Sequence, residues 1–271
     1  MNLIQVFFNV PDLEMVSLEW AMAVELGSGQ TVWIPQCLTN MDSTVVRPEH
    51  GFFQVSTNGL AAGNTEDEAL CHALYEVIER DSLFFWSNLS DTEREAKRLN
   101  IASIGSVINQ QLIKRYTQFD IQLKIWDITS DAAVPSFHCA MYDPNPFRVQ
   151  GVFRGTGTHG SKDIALARAL LEAAQSRLGI ISGARDDLFP DQYQQHLHVT
   201  DSAVPAGKCD YAAIQSAALP SSFKLVADAI LQALDRAGFR KVYCVKHTKT
   251  ELQIPVVQVF VPGMQFRGTR A

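Results

Sequence analysis

The segment from Thr65 to Trp86 constrains the fold more than any other part of this chain. Thr65 and Glu68 have the spacing of a capping box, which marks the first turn of a helix. The segment ends in the strongly apolar run Leu83–Trp86, and small apolar residues precede it. Apolar residues also recur at helical spacing along one side. These residues are Leu70, Leu74, Val77 and Ile78. We therefore expect one long helix that is largely buried.

Three carboxylates lie on the other side of this helix. At about 100° per residue, Glu79 lies about 20° from Glu68, and Glu76 lies about 80° from it, with His72 between them. Like charges at this spacing repel each other unless solvent or a cation separates them. The arc is therefore either a solvated acidic surface or, because its surroundings are apolar, a site for Mg²⁺ with phosphate oxygens.

A second helix is predicted from Ser161 to Ile181, and it is very rich in Ala and Leu. Arg168, Glu172 and Gln175 form its one polar stripe. Such a stripe is either a surface salt bridge or a polar strip that faces an interior site. The glycine-rich residues 154–160 just before it lack the spacing of a phosphate-binding loop and predict a strand-to-helix turn, with Ser161 as N-cap.

The remaining segments predict strands and helices without strict alternation. This order favours the α+β class, with mixed and largely antiparallel sheets packed against helices, over a doubly wound sheet. Residues 91–100 predict a charged, solvated segment. The predicted strands are 20–26, 31–35, 121–128, 136–142, 150–156, 242–245 and 255–261, and the further helices are 104–119 and 223–237. A turn between the first two strands predicts a hairpin, and short turns between the next three predict an antiparallel meander.

Composition excludes several classes of protein. The 271 residues carry a formal net charge of −6, which argues against nucleic-acid binding by bulk electrostatics. No apolar run reaches the roughly 20 residues needed to cross a bilayer, and the N-terminus lacks the features of a signal peptide. The five cysteines are scattered, so they predict reduced, packed thiols. We expect a single soluble, cytoplasmic domain over residues 1–271.

Two long motifs resemble the signatures of the YcaO family. Ser56–Thr65, followed by Glu68 and by His72–Asp81, is similar to the central signature of that family. Gly155–His159 and Ala167–Arg177 are similar to its second signature. The resemblance extends from about Trp20 to Gly263, and the motifs occur in the family's order.

The resemblance implies an enzyme that uses ATP and Mg²⁺ to phosphorylate a peptide-backbone amide oxygen. A side-chain nucleophile then gives an azoline, whereas external sulfide gives a thioamide and an amine gives an amidine. It also implies a peptide or protein substrate, a homodimer, and an E1-like or TfuA-like partner protein. The implied nucleotide-binding residues are Asn64, Glu68, Glu76, Glu79, Arg168, Glu172 and Gln175, of which Glu76, Glu79 and Glu172 would bind the metal.

The chain departs from the family pattern in one respect. Full-length members carry an earlier helix with a Ser-x-x-Glu-x-x-Glu-Arg motif, which supplies a second pair of magnesium-binding acids. Here the one Glu-x-x-Glu-Arg is Glu76–Arg80, with Ala73 at the serine position. We therefore expect an N-terminally shortened member of the family. The early acids that could replace the missing pair are Asp12, Glu14, Glu19 and Glu25.

Three functions follow as alternatives. The first is an active enzyme whose missing acids come from another chain or from the early acids. The second is a truncated or degenerate YcaO protein that acts as a peptide- or partner-binding module without catalysis. The third is an unrelated α+β protein whose acidic helix surfaces are merely structural.

Overall fold

The computed structural model describes residues 17–42, 44, 53, 55–145, 151–183, 206–217 and 220–266. Contacts group them into two units. The first unit contains the described residues up to Phe84 and those from Pro220 onward, and the second contains those between. The expectation of a single domain over the whole chain stays a prediction.

The first unit contains a five-stranded antiparallel sheet. The predicted hairpin opens it, as β1 (Trp20–Glu25) and β2 (Thr31–Pro35). Three more strands complete the sheet: β3 (Leu60–Ala62), β7 (Tyr243–Lys246) and β8 (Val256–Phe260). The strand order is β2-β1-β7-β8-β3, so β7, which is distant in sequence, joins β1 to β8 and β3. Two helices belong to this part of the chain, and the Cys71 thiol of the first donates to the Phe223 carbonyl of the second. These helices are α1 (Glu66–Ser87) and α5 (Phe223–Arg236).

The second unit contains a three-stranded antiparallel meander in the order β4-β5-β6, as the sequence predicts. One face of this sheet forms the core with the helix that follows it, because alternate residues of a strand point to the same side. On that face Ile125 and Phe137 pack with Leu166 and Ala169. The elements are α2 (Asp91–Ala96), α3 (Val107–Thr117), β4 (Gln122–Asp127), β5 (Ser136–Tyr142), β6 (Val152–Thr158) and α4 (Lys162–Ser182).

The glycine-rich segment forms mostly strand, so its interpretation as a turn is wrong. Gly155 and Gly157 both lie within β6, on the face that packs against α4. A Cβ atom at Gly157 would lie 2.2 Å from the Ala165 carbonyl oxygen, and one at Gly155 would lie 2.3 Å from that of Ala169. The glycines therefore allow the helix backbone to approach the strand backbone. Ser161 is the N-cap residue of α4, but its side chain makes no capping hydrogen bond.

The charged segment after α1 is largely exposed over Asp91–Ala96, as predicted, whereas Arg98 and Leu99 within it are buried. Asp91–Ala96 is a short helix, and Ser90 and Glu93 form its reciprocal capping box. At the start of α1 the cap is only partly as predicted. The Thr65 hydroxyl accepts from the Glu68 amide at 3.2 Å, whereas the Glu68 carboxylate reaches back to Asn64.

All five cysteines are free thiols, which confirms that part of the sequence reading. Burial raises the pKa of Cys71 and of Cys244 to about 11, and that of Cys139 to about 12. These three thiols are therefore protonated and unreactive at neutral pH. No helix in the described parts of the chain has the length and apolar character that a membrane span requires.

Candidate functional site

The acidic arc of α1 lies at the edge of the buried side of the helix. The side chains of Glu68 and Glu76 are only 18% and 27% exposed, and His72 between them is 41% exposed. Leu74 and Ile78 beside them are fully buried. This confirms that the helix is largely buried, and it shows that the acids are partly removed from water.

Glu76 is the acid whose environment most favours a bound cation. Burial raises its pKa, and the nearby Glu79 carboxylate adds to this, whereas Arg80 acts in the opposite direction. The Arg80 guanidinium lies 3.4 Å from the Glu76 carboxylate and is 40% exposed. An exposed ion pair of this kind contributes at most about 1 kcal/mol, so a divalent metal can replace it. Glu76 and Glu79 thus fit as two oxygen ligands for Mg²⁺.

Glu68 already has a structural role at the start of the helix. Its carboxylate accepts hydrogen bonds from the Asn64 backbone amide at 2.8 Å and from the Asn64 side-chain amide at 3.0 Å. These bonds lower the pKa of Glu68, because they stabilise the ionised carboxylate. Gly63 fits beneath this contact, since a Cβ there would lie 2.5 Å from the Ala69 nitrogen. The pair therefore fixes the turn that leads into α1.

The polar stripe of α4 contacts the outer edge of β6. The Glu172 carboxylate accepts from the Thr156 backbone amide at 3.2 Å, and the Arg168 guanidinium donates to the Thr158 carbonyl at 3.1 Å. β6 is an edge strand, so its outward N–H and C=O groups have no neighbouring strand to bond with. The two side chains of α4 supply hydrogen-bond partners for these groups instead. Gln175, the third member of the stripe, is exposed. The stripe is therefore more than a surface salt bridge within one helix.

The stripe is not the only accessible part of α4, contrary to the sequence reading. Leu171 is 53% exposed and Leu178 is 63% exposed. With Ile164 they repeat every seven residues, so one apolar side of this helix is exposed within the part of the chain that the structure describes. Composition alone could not show which Ala and Leu residues the sheet would cover.

The predicted metal ligands are not gathered into a ready-made cluster. Within the described residues, no three His, Cys, Asp or Glu side chains are grouped closely enough to hold a metal ion. Glu25 hydrogen-bonds with Ser28, and Lys241 lies 3.2 Å from it, so it serves the β1–β2 turn. Asp12 and Glu14 lie outside the described residues. The assignment of Glu76, Glu79 and Glu172 to magnesium stays a prediction.

Comparison with known proteins identifies the family. Residues 7–265 match the family described as YcaO cyclodehydratase, ATP- and Mg²⁺-binding. The chain belongs to the YcaO family. It is 30% identical over 258 residues to a protein from the tfuA 3′ region of Rhizobium leguminosarum bv. trifolii, and this match covers 92% of the chain. The chain spans only 61% of that relative's length.

Two solved structures share the fold of this YcaO protein. YcaO from Methanopyrus kandleri, bound with AMPPCP and Mg²⁺, is 21% identical with a TM-score of 0.73; the match covers 94% of the chain and 67% of that protein. A heterocyclase in complex with substrate and cofactor is 22% identical with a TM-score of 0.75; the match covers 93% of the chain and 34% of the heterocyclase. These matches confirm the α+β class with antiparallel sheets and helices. That the chain is an N-terminally shortened member stays a prediction.

Proposed function

We propose that this YcaO protein binds ATP with Mg²⁺ and activates a peptide-backbone amide, leading to an azoline or a thioamide. The observation that carries the proposal is the half-buried pair Glu76 and Glu79 on α1. Burial raises the pKa of Glu76, the neighbouring Glu79 carboxylate adds to this, and Arg80 offsets it only in part, so a cation would stabilise the ionised Glu76. The family's description as ATP- and Mg²⁺-binding supports the same chemistry.

The proposed ligands are those that the sequence predicts. The metal ligands are Glu76, Glu79 and Glu172, and the further nucleotide ligands are Asn64, Glu68, Arg168 and Gln175. When bound, Mg-ATP would supply the phosphoryl group for the amide oxygen; ADP would leave in that transfer, and phosphate would leave once the nucleophile has added. The chain's own contribution is to position the reactants and to balance their charge, which is most of what phosphoryl transfer requires.

Isothermal titration with Mg-ATP tests this proposal. We expect the Glu76→Gln variant to bind at least about tenfold more weakly than the wild type, because it loses a charged metal ligand. Glu66→Gln is the matched control, since it removes the same charge from the same helix. Glu66 is 54% exposed and pairs only with the exposed Lys246, so its loss should leave the affinity unchanged. Equal affinities for wild type and Glu76→Gln would refute the site.

A binding module without catalysis is the second candidate function, and the contacts of Glu172 favour it. Because Glu172 already accepts from Thr156, its carboxylate has a structural use that needs no nucleotide. Two variants separate the functions. Glu172→Gln keeps an oxygen acceptor for Thr156 and loses the charge, whereas Glu172→Ala loses both. If Glu172 is a metal ligand, the Gln variant should bind Mg-ATP weakly while its stability is unchanged. If Glu172 is only structural, the Ala variant should lose stability and the Gln variant should bind Mg-ATP normally.

The proposed partners are a peptide substrate, a second copy of the chain, and a TfuA-like protein. A peptide substrate agrees with the heterocyclase that was solved with its substrate. The TfuA-like partner rests on the position of the Rhizobium relative in a tfuA 3′ region. Sedimentation of the purified chain, alone and mixed with a TfuA-like protein, tests both associations. A particle of 30.1 kDa under both conditions would refute them.

A further inference from the structure

An open pocket of about 360 Å³ lies on the β4–β6 sheet, on the face opposite α4. Its lining comes from the three strands, from α2 and from Trp86 in the last turn of α1, and all of these residues belong to the second unit. The volume is at the lower end of the range for small-molecule sites. The predicted nucleotide and metal ligands do not line it, so this pocket is separate from the proposed nucleotide site.

The strand register places two cations on either side of a small residue at the pocket floor. Ala140 on β5 is paired with Lys124 on β4 and with Arg154 on β6. Because neighbouring strands are about 4.8 Å apart, the two basic residues begin about 10 Å from each other, with little side chain between them. Lys124 lies 5.8 Å from the centre of the Tyr142 ring, and Arg154 donates only a long bond to the Val152 carbonyl. No carboxylate of a described residue pairs with either cation.

Aromatic rings line the pocket beside these cations. Trp126 and His138 are register partners, and their rings stack with centres 5.7 Å apart. The Trp86 ring centre lies 5.3 Å from that of Trp126 and 4.7 Å from that of His138. Tyr142 lies two residues beyond Ala140 on the same face. The pocket therefore offers flat, apolar surfaces next to positive charge.

Four polar atoms on these rings lack a hydrogen-bond partner among the described residues. They are Nε1 of Trp86, Nε1 of Trp126, Nδ1 of His138 and the Tyr142 hydroxyl. Trp126 is 8% exposed, and His138 and Tyr142 are 4% exposed. Each buried, unpartnered polar group costs about 1–3 kcal/mol, and such groups are few in native proteins. These four atoms are themselves buried, so the ring faces and the two cations, rather than these atoms, border the pocket.

The acidic residues at the pocket are already neutralised. Asp91 pairs with Arg94 at 2.7 Å, and Glu95 pairs with Arg98 at 2.7 Å. The charges left without a partner are those of Lys124 and Arg154, in a chain whose overall charge is negative. The pocket thus selects for an anion.

We propose that this pocket binds an aromatic carboxylate, with the carboxylate between Lys124 and Arg154 and the ring against Trp86, Trp126 and His138. A guanidinium matches the two oxygens of a carboxylate, and the aromatic rings beside it can pack against the ring of the ligand. The ligand is either a peptide ending in an aromatic residue or a free aromatic acid, since both present this chemistry. The neutral amide of either should bind weakly, because the two cations would then gain no partner.

Tryptophan fluorescence and isothermal titration, both without ATP, measure the binding. The probes are N-acetylphenylalanine, its C-terminal amide and benzoate. We expect N-acetylphenylalanine or benzoate to bind with a dissociation constant below about 10 mM, and the amide at least about tenfold more weakly. Stronger binding of N-acetylphenylalanine identifies a peptide C-terminus as the ligand type, and stronger binding of benzoate identifies a free acid. Equal binding of acid and amide, or no binding of either acid, would overturn the proposal.

Matched variants locate the binding. Arg154→Gln should weaken binding of the better acid about tenfold, whereas Arg115→Gln, the same change on the exposed side of α3, should not. Trp126→Phe keeps an aromatic ring but reduces the stacking surface, so it should weaken binding while the circular dichroism stays native. Wild-type affinity in both Arg154→Gln and Trp126→Phe would refute the assignment. Since no nucleotide is present, this result is independent of the ATP proposal.

Discussion

His138 should cause the stability of this protein to fall as the solution becomes mildly acidic. The pKa of this histidine falls from 6.5 to about 4, because burial and then the Arg154 charge disfavour the protonated ring, against a smaller opposite effect of the Gly155 carbonyl. The folded state therefore binds fewer protons than the unfolded state between pH 6.5 and 4, so stability falls as the pH is lowered through this window. A pKa difference of about 2.5 corresponds to about 3.4 kcal/mol in full, of which about 2 kcal/mol is lost between pH 7 and pH 5.

Urea unfolding at pH 7 and pH 5, followed by circular dichroism, measures this loss. Between pH 7 and pH 5, the free energy of unfolding of the wild type should fall by about 2 kcal/mol more than that of His138→Gln, because the variant has no ring to protonate. His72→Gln is the control, since it removes a histidine whose side chain is 41% exposed rather than buried and leaves His138 in place, so the loss caused by His138 should persist. If wild type and His138→Gln lose the same free energy, the account of His138 as a buried neutral ring is wrong.

Two further predictions concern the packing and the capping of the second unit. Gly157→Ala should destabilise the protein by about 1–3 kcal/mol, because the added Cβ would overlap the Ala165 carbonyl, whereas Gly105→Ala, with no atom within 4 Å, should change the stability little. Equal unfolding midpoints in urea for the two variants would contradict this. Ser90→Ala should cost about 1 kcal/mol, because it removes a capping box, and Ser106→Ala should cost much less, because the Ser106 side chain caps nothing. A Ser106→Ala loss as large as that of Ser90→Ala in the same assay would show that the capping bond has no measurable effect.

The sequence predicts the elements whose signals are long and periodic. The helix from Thr65 and the meander between 121 and 158 were foreseeable, because apolar spacing reports directly on which side of an element is buried. The half-buried arc of Glu68 and Glu76 was foreseeable for the same reason, since helix geometry alone places both acids on one side.

Other features depend on tertiary contacts that no local pattern records. Glycines normally indicate turns, but Gly155 and Gly157 are required by the close approach of α4. The helix α2 is polar all round, so its only sequence signal was the Ser90–Glu93 cap. The pocket was missed because its aromatic rings come from three separate segments. Their common face appears only once the register of β4, β5 and β6 is known.

The strand β6 explains why these features occur together in the second unit. Its glycine face admits the backbone of α4, and this approach brings Glu172 and Arg168 within reach of the strand's outer edge. Alternation along the same strand directs Arg154 to the opposite face, where it lines the aromatic pocket. This one strand thus contacts the polar stripe, which contains proposed nucleotide ligands, and contributes Arg154 to the proposed carboxylate-binding pocket. A substitution such as Gly157→Ala, which displaces β6 from α4, should therefore perturb both Mg-ATP binding and aromatic-carboxylate binding, whereas Arg154→Gln should affect only the second.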